Sequence, residues 1–98
     1  MSSLSPKEKR RLADSVQQEA PHVHVGKRGL CSEVLDEIDR QLEAREVIKV
    51  RILKSALQVE NCDRKTLAKK LAEAVGAEIL DIRGLTAVLY RKRRLYKR

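Results

Sequence analysis

The sequence predicts an α/β fold: one domain in which three helices and four strands follow one another as α-β-α-β-α-β-β. Two observations carry that expectation. The spacing of apolar residues switches between a helical period of about 3.6 and a strand period of 2 along the chain, and helix-boundary residues stand where the helical stretches begin and end. A third bounds the size: 98 residues, 42% of them hydrophobic, supply one modest core and leave no room for a second domain. Strands separated by helices are expected to run parallel through right-handed crossovers, and the last two to pair antiparallel, so the sheet is mixed. The domain is expected to span residues 1–98, with a core of about 5–92 and a basic tail over about 91–98.

The first helix starts at a capping box, Ser5-Pro6-Lys7-Glu8, in which Ser5 accepts from the Glu8 amide and Glu8 reaches back. Leu12, Ala13, Val16 and Ala20 form its apolar face, Pro21 stops it, and Lys7, Arg10 and Arg11 project from the opposite side. His22 to Val25 alternates and reads as a short strand, and Gly26-Lys27-Arg28-Gly29 follows as a tight loop. The second helix buries Val34, Leu35, Ile38 and Leu42 and turns Glu33, Asp36, Glu37 and Glu43 outward. From Val47 to Leu53 the chain alternates again, with Ile48, Val50 and Ile52 on one side and Lys49 and Arg51 on the other. Asp63 caps a third helix that buries Leu67, Ala68, Leu71 and Val75 and ends at Gly76. Ile79 to Arg83 and Thr86 to Tyr90, around Gly84, make a terminal hairpin.

Charge narrows the partner. The chain carries 22 basic and 14 acidic side chains, a net +8. They are unevenly spread: residues 31–50 hold six acidic against three basic side chains, whereas residues 76–98 hold seven basic against two acidic. Such a two-sided field attracts a polyanion to one face and keeps it off the other. No apolar run approaches the roughly 18 residues of a membrane span, and no secretory signal stretch opens the chain. Two cysteines are too few for a disulfide scaffold, so a reducing cytoplasm is the expected compartment.

The Gly26–Gly29 loop is the most informative local feature. Glycine at both ends lets backbone amides approach an anion, two cations sit at the tip, and the loop feeds a helix N-terminus that favours a phosphate. The same spelling also serves as a plain strand-to-helix turn. With only Tyr90 and Tyr96 as aromatics, single-strand recognition by base stacking is disfavoured, and recognition of phosphates and helical shape fits better. Tyr90 is expected half-buried in the last strand. No nucleophile–base pair, paired acid/base carboxylates or Walker-type loop is present, so neither catalysis nor a cofactor is expected. His22 and His24 share a strand face, but Cys31 and Cys62 lie at unhelpful spacings for completing a metal site. Cys31 is expected as a small buried thiol on the inward side of the second helix.

Leu4-Ser5-Pro6-Lys7, PHVHVGKRGL over 21–30, EVIKVRI over 46–52 and GLTAVLYR over 84–91 together resemble the CRM-domain, or YhbY-type, RNA-binding family, and the likeness covers essentially the whole chain. The resemblance implies a four-stranded mixed sheet and binding of structured RNA, with Gly26, Lys27, Arg28 and Gly29 on the family's RNA-contacting G-x-x-G loop. Stand-alone bacterial members of that family are associated with large-subunit ribosome precursors. Cys31 stands where the family often has Thr, which shifts the expected cap of the second helix to Ser32. The segment Lys54–Asn61 is longer than in the bacterial members, and the tail is more basic.

The resulting expectation is a non-enzymatic binder of structured RNA, ribosomal RNA or a pre-ribosomal particle in large-subunit assembly. Lys27 and Arg28 grip phosphates, Lys7, Arg10 and Arg11 extend the surface, and Arg91, Lys92, Arg93 and Arg94 add a tail contact. The alternative is an adaptor that docks acidic protein partners through the tail alone. An RNA binder of this design needs loop, first helix and tail on one continuous face.

Overall fold

The computed structural model describes residues 4–92. Its elements are α1 (Pro6–Gln17), β1 (Val23–Val25), α2 (Ser32–Arg45), β2 (Val47–Ile52), α3 (Lys54–Glu60), α4 (Arg64–Val75), β3 (Glu78–Arg83) and β4 (Thr86–Tyr90). Among the described residues four helices are present, where the sequence predicts three. The added one, α3, is a seven-residue helix without a side-chain cap at Leu53, and it ends at Asn61 in the left-handed region (φ 54°). Burial of Ala56 and packing of Leu57 on the main core hold it in place.

The strands form one mixed sheet in the order β1-β2-β4-β3. β1 pairs parallel with β2, and β4 runs antiparallel between β2 and β3. Thus β1, β2 and β3 all point one way, as the crossovers require. Their carboxyl ends gather the Gly26–Gly29 loop, the start of α3 and the β3–β4 turn: Leu53 N–H donates to the Val25 carbonyl and Ile52 N–H to the Leu85 carbonyl, at 2.9 and 2.7 Å. The other end of the sheet carries the end of β4, where Arg91 N–H donates to the Glu46 carbonyl at 2.9 Å.

Alternation along the strands divides the core between the two faces. On one, Ile38 and Leu42 of α2 and Leu67 and Leu71 of α4 close over Val25, Ile48, Val50, Ile52, Ala87 and Leu89. On the other, α1 lays Ala13 and Val16 on Val47 and Val88, with Leu12, Leu80 and Tyr90 around them. α1 follows β3: Lys9 reaches Glu78 at 2.6 Å and Asp14 reaches Arg83 at 3.6 Å.

Two caps carry an acid-sensitive contribution. Glu8 accepts from the Ser5 backbone N–H at 2.9 Å, and that bond, followed by the Ser5 side chain, holds its carboxyl below its ordinary 4.5. Asp63 accepts from the Thr66 N–H at 2.8 Å, and that contact holds it below 3.8. Depressed folded-state values mean that this stability is present above the unfolded values and lost as pH falls through the folded ones. Melting temperature is therefore expected to decline on acidification below about pH 4.5, and the double variant Glu8→Gln, Asp63→Asn should show a shallower decline in that window. Circular dichroism melts across pH check it. Equal slopes would remove the caps from the account.

Candidate nucleic-acid interface

The loop after β1 is a hydrogen-bonded turn. Gly29 N–H donates to the Gly26 carbonyl at 2.8 Å, and Gly29 adopts φ +65°, a conformation that glycine alone enters cheaply. Lys27 and Arg28 therefore stand at the tip, both exposed. Lys27 makes no hydrogen bond or ion pair with any described residue. Arg28 pairs with Glu33 in the first turn of α2, with both side chains more than two-thirds exposed, so the pair is weak and readily exchanged for another anion.

The underside of the turn departs from the expected phosphate cradle. Leu30 N–H is already taken by the Glu60 carboxylate, at 2.9 Å, from the end of α3. Cys31, not Ser32, is the N-cap of α2, and its side chain makes no capping bond. It is also half-exposed rather than buried. It lines an open groove of about 280 Å³ with His22, His24, Arg28 and Glu33. The two histidines part company. His22 Nδ1 accepts from the Lys49 N–H at 2.9 Å, which leaves the proton of the neutral ring on Nε2 to be donated to Glu19 at 3.0 Å. His24 is exposed.

Lys7, Arg10 and Arg11 lie on the outer surface of α1, all exposed. Arg91 does not join them. Its guanidinium turns inward between α2 and α4, 11% exposed, and donates to Asp39 Oδ1 (2.7 Å), Glu43 Oε2 (2.9 Å) and the Val75 carbonyl (2.7 Å). With its charge matched by two carboxylates it serves as an anchor for the end of β4. Lys92 is exposed, and Arg93 and Arg94 lie outside the described residues. Tyr90 is half-buried against the α1 cluster, and burial, then the Glu46 and Glu78 carboxylates, push its phenol above its ordinary value.

Arg91 therefore does not share a face with the loop, and Arg93 and Arg94, the other arginines of the expected single face, lie outside the described residues. The loop lies at the carboxyl end of β2 and Arg91 at the other end, a six-residue strand apart, which is about 20 Å. Arg91 also lies on the α2/α4 side, whereas α1 covers the opposite face. Around the loop end the structure brings in cations that were not singled out in the sequence: Arg51, Lys54, Arg64, Lys65 and Arg83, all exposed. Arg64 and Lys65 share an open cleft with Leu85 of the β3–β4 turn. The alternation of Val47 to Leu53 already placed Arg51 on the polar side. The others needed the topology. Among the described residues no helix is long and apolar enough to cross a membrane.

Comparison with known proteins agrees with this architecture. The chain is 40% identical over 95 residues to a probable RNA-binding protein of Methanocaldococcus jannaschii, covering 97% of this chain and 69% of that one. It is 33% identical over 91 residues to a probable RNA-binding protein of Bacillus subtilis, covering 91% and 88%. The solution structure of a Staphylococcus aureus protein, described as a candidate RNA binder, superposes with a TM-score of 0.73 at 33% identity over 96% of this chain and 94% of that one. The CRS1/YhbY (CRM) domain family matches residues 4–91, and the chain belongs to that family.

Proposed function

We propose that this protein is a non-enzymatic RNA-binding domain of the cytoplasm that grips the phosphate backbone of structured RNA, ribosomal RNA during large-subunit assembly. The observation that carries the reading is the Gly26–Gly29 turn, which projects the unpaired Lys27 and the loosely paired Arg28 from the sheet's carboxyl end. In open α/β sheets ligands bind at the carboxyl ends of the strands, and further exposed cations surround this one. The names of the two curated relatives point the same way. Lys7, Arg10 and Arg11 extend the surface along α1. Lys92, at the far end of the sheet, adds a contact together with Arg93 and Arg94, which lie outside the described residues, and Arg91 is reassigned from contact to anchor.

Replacing Lys27 and Arg28 together by alanine should weaken binding to a ribosomal RNA hairpin by roughly five- to thirtyfold, from two exposed charge contacts of about 0.5–1 kcal/mol each. The log–log salt dependence should become shallower by about 1.4–1.8. Fluorescence anisotropy across a salt series, with melts to confirm folding, reads both. The separation of Arg91 from the loop favours one second reading, a tail beyond it that docks acidic proteins independently. Unchanged RNA affinity in the loop variant, with binding of an acidic peptide that is lost on neutralising Lys92, Arg93 and Arg94, would promote it.

A further inference from the structure

The register of the sheet brings four side chains into one transverse row. His24 of β1 pairs with Arg51 of β2, Arg51 with Thr86 of β4, and Thr86 with Arg83 of β3. Directly paired residues point to the same face, and alternation from Val47 and Val88 puts this row on the side that α1 covers. The cover stops short of it. Ala13 and Val16 lie on Val47 and Val88, and Lys49 Nζ is tied to the Gln17 and Glu19 carbonyls at 2.8 and 2.9 Å. One step further along the strands, His24, Arg51 and Arg83 are exposed and Thr86 is half-buried.

All four side chains can donate a hydrogen bond. A sheet face that only has to stay in water is served as well by a carboxylate opposite an arginine, which gains a favourable cross-strand pair. Arg51 has no such neighbour. An imidazole and a hydroxyl flank it, and it makes no hydrogen bond or ion pair with any described residue. The carboxylates of this corner collect at the β3 end, where Asp81 and Asp14 hold Arg83 at 2.7 and 3.6 Å. The row also begins two residues before Gly26, so it is continuous with the turn.

We infer that this row is a second backbone-binding strip, with Arg51 as its principal contact, which receives the phosphodiester chain of an RNA leaving the Gly26–Gly29 turn and leads it across the sheet toward β3. The inference rests on the RNA reading above and adds a direction to it, across the strands rather than along α1. Strands lie about 4.8 Å apart, so the row spans roughly 14 Å, room for more than one phosphate of a strand. His24 and Thr86 supply hydrogen bonds beside the Arg51 fork, and Arg83 joins by exchanging an exposed carboxylate for a phosphate.

The test compares Arg51→Ala with Lys69→Ala, which removes one exposed positive charge from α4 on the other side of the sheet. Both variants, the unaltered chain and Arg51→Lys are titrated with a ribosomal RNA hairpin across a salt series. In parallel, amide shifts of the labelled unaltered chain are followed on adding the RNA. Arg51→Ala is expected to lose roughly three- to tenfold in affinity and about 0.7–0.9 of salt slope, the loss of one phosphate contact. Arg51→Lys should fall between, Lys69→Ala should match the parent, and the amides of residues 24, 51, 83 and 86 should shift. RNA binding by the parent, with Arg51→Ala indistinguishable from Lys69→Ala or with no shifts in the row, overturns the strip and leaves the loop reading standing. No binding by the unaltered chain overturns both.

Discussion

Replacing Arg91 by alanine is expected to lower the melting temperature by about 10–20 °C, while Lys92→Ala, one residue on, leaves it nearly unchanged. The guanidinium is 11% exposed and holds Asp39, Glu43 and the Val75 carbonyl at once. Alanine would leave the last turn of α4 with an unanswered carbonyl. It would also leave Asp39 and Glu43, four residues apart on α2, as uncompensated like charges. Hydrogen bonds to a charged group contribute about 1.5–3 kcal/mol each when buried, and less when the partner is wet, as Asp39 is. Arg91 Nε finds no partner among the described residues, which offsets part of the gain. A net loss of about 2–3 kcal/mol follows, and in a domain of this length each kcal/mol moves the transition by about 4–8 °C. Thermal melts of the two variants decide it. A shift shared equally by both would mean that the end of β4 is held by something other than this anchor.

Gly29→Ala is the second large effect, and Gly76→Ala is its internal reference. Both glycines lie at φ near +65° (65° and 68°), so both substitutions force alanine into the left-handed region, at about 1–2 kcal/mol. Their surroundings differ. A Cβ on Gly76 meets nothing within 4 Å, whereas one on Gly29 would lie 2.3 Å from Glu60 Oε2 and 3.2 Å from Val59 Cγ1. The carboxylate must withdraw, and the Leu30 N–H loses its acceptor, a further 1–2 kcal/mol or so. Gly29→Ala should therefore cost about 2–4 kcal/mol and Gly76→Ala about 1–2. In a Glu60→Ala background the penalty at Gly29 should shrink toward that at Gly76, because the Glu60 clash and its lost bond to Leu30 are removed and only the Val59 contact is left. Denaturant titrations of the four chains check the cycle. Strict additivity would show that Glu60 does not shape the turn. RNA affinity, measured where all variants are folded, should drop with Gly29→Ala and not with Gly76→Ala.

The regular elements were legible where boundary chemistry and periodicity agreed. The Ser5–Glu8 box, the Asp63 cap, the Gly76 end and the hairpin around Gly84 all lie where local chemistry put them. α3 escaped because seven residues make barely two turns, too few for a helical period to show, and Leu53 offers no polar cap. The cap of α2 was misplaced by preferring the hydroxyl of Ser32 over Cys31, although the backbone caps there without side-chain help. The candidate site was legible only in part. Lys27 and Arg28 are local to their turn. Arg91 looks like any other member of a basic run until the fold brings up Asp39, 52 residues away in the chain. Glu60, 30 residues from Leu30, is invisible for the same reason. Interactions set by topology leave no periodic trace in the sequence.

The strand order imposes a schedule on assembly. β4 is the last of the four strands in sequence yet lies in the interior of the sheet, with β2 on one side and β3 on the other. A chain synthesised only as far as Arg83 has β1 and β2 able to pair, while β3 has no neighbour at all and α1 has only part of the surface it packs on. Closing the sheet requires residues 86–90 to thread home against residues 47–51, a pairing of long sequence separation and correspondingly large loop-closure entropy. The basic turn at Gly26–Gly29 leaves the ribosome early, but Glu60 and the completed sheet that hold it in shape come later. The folded geometry of the turn thus waits for residues 86–90, and a nascent chain displays the turn's charge well before that geometry.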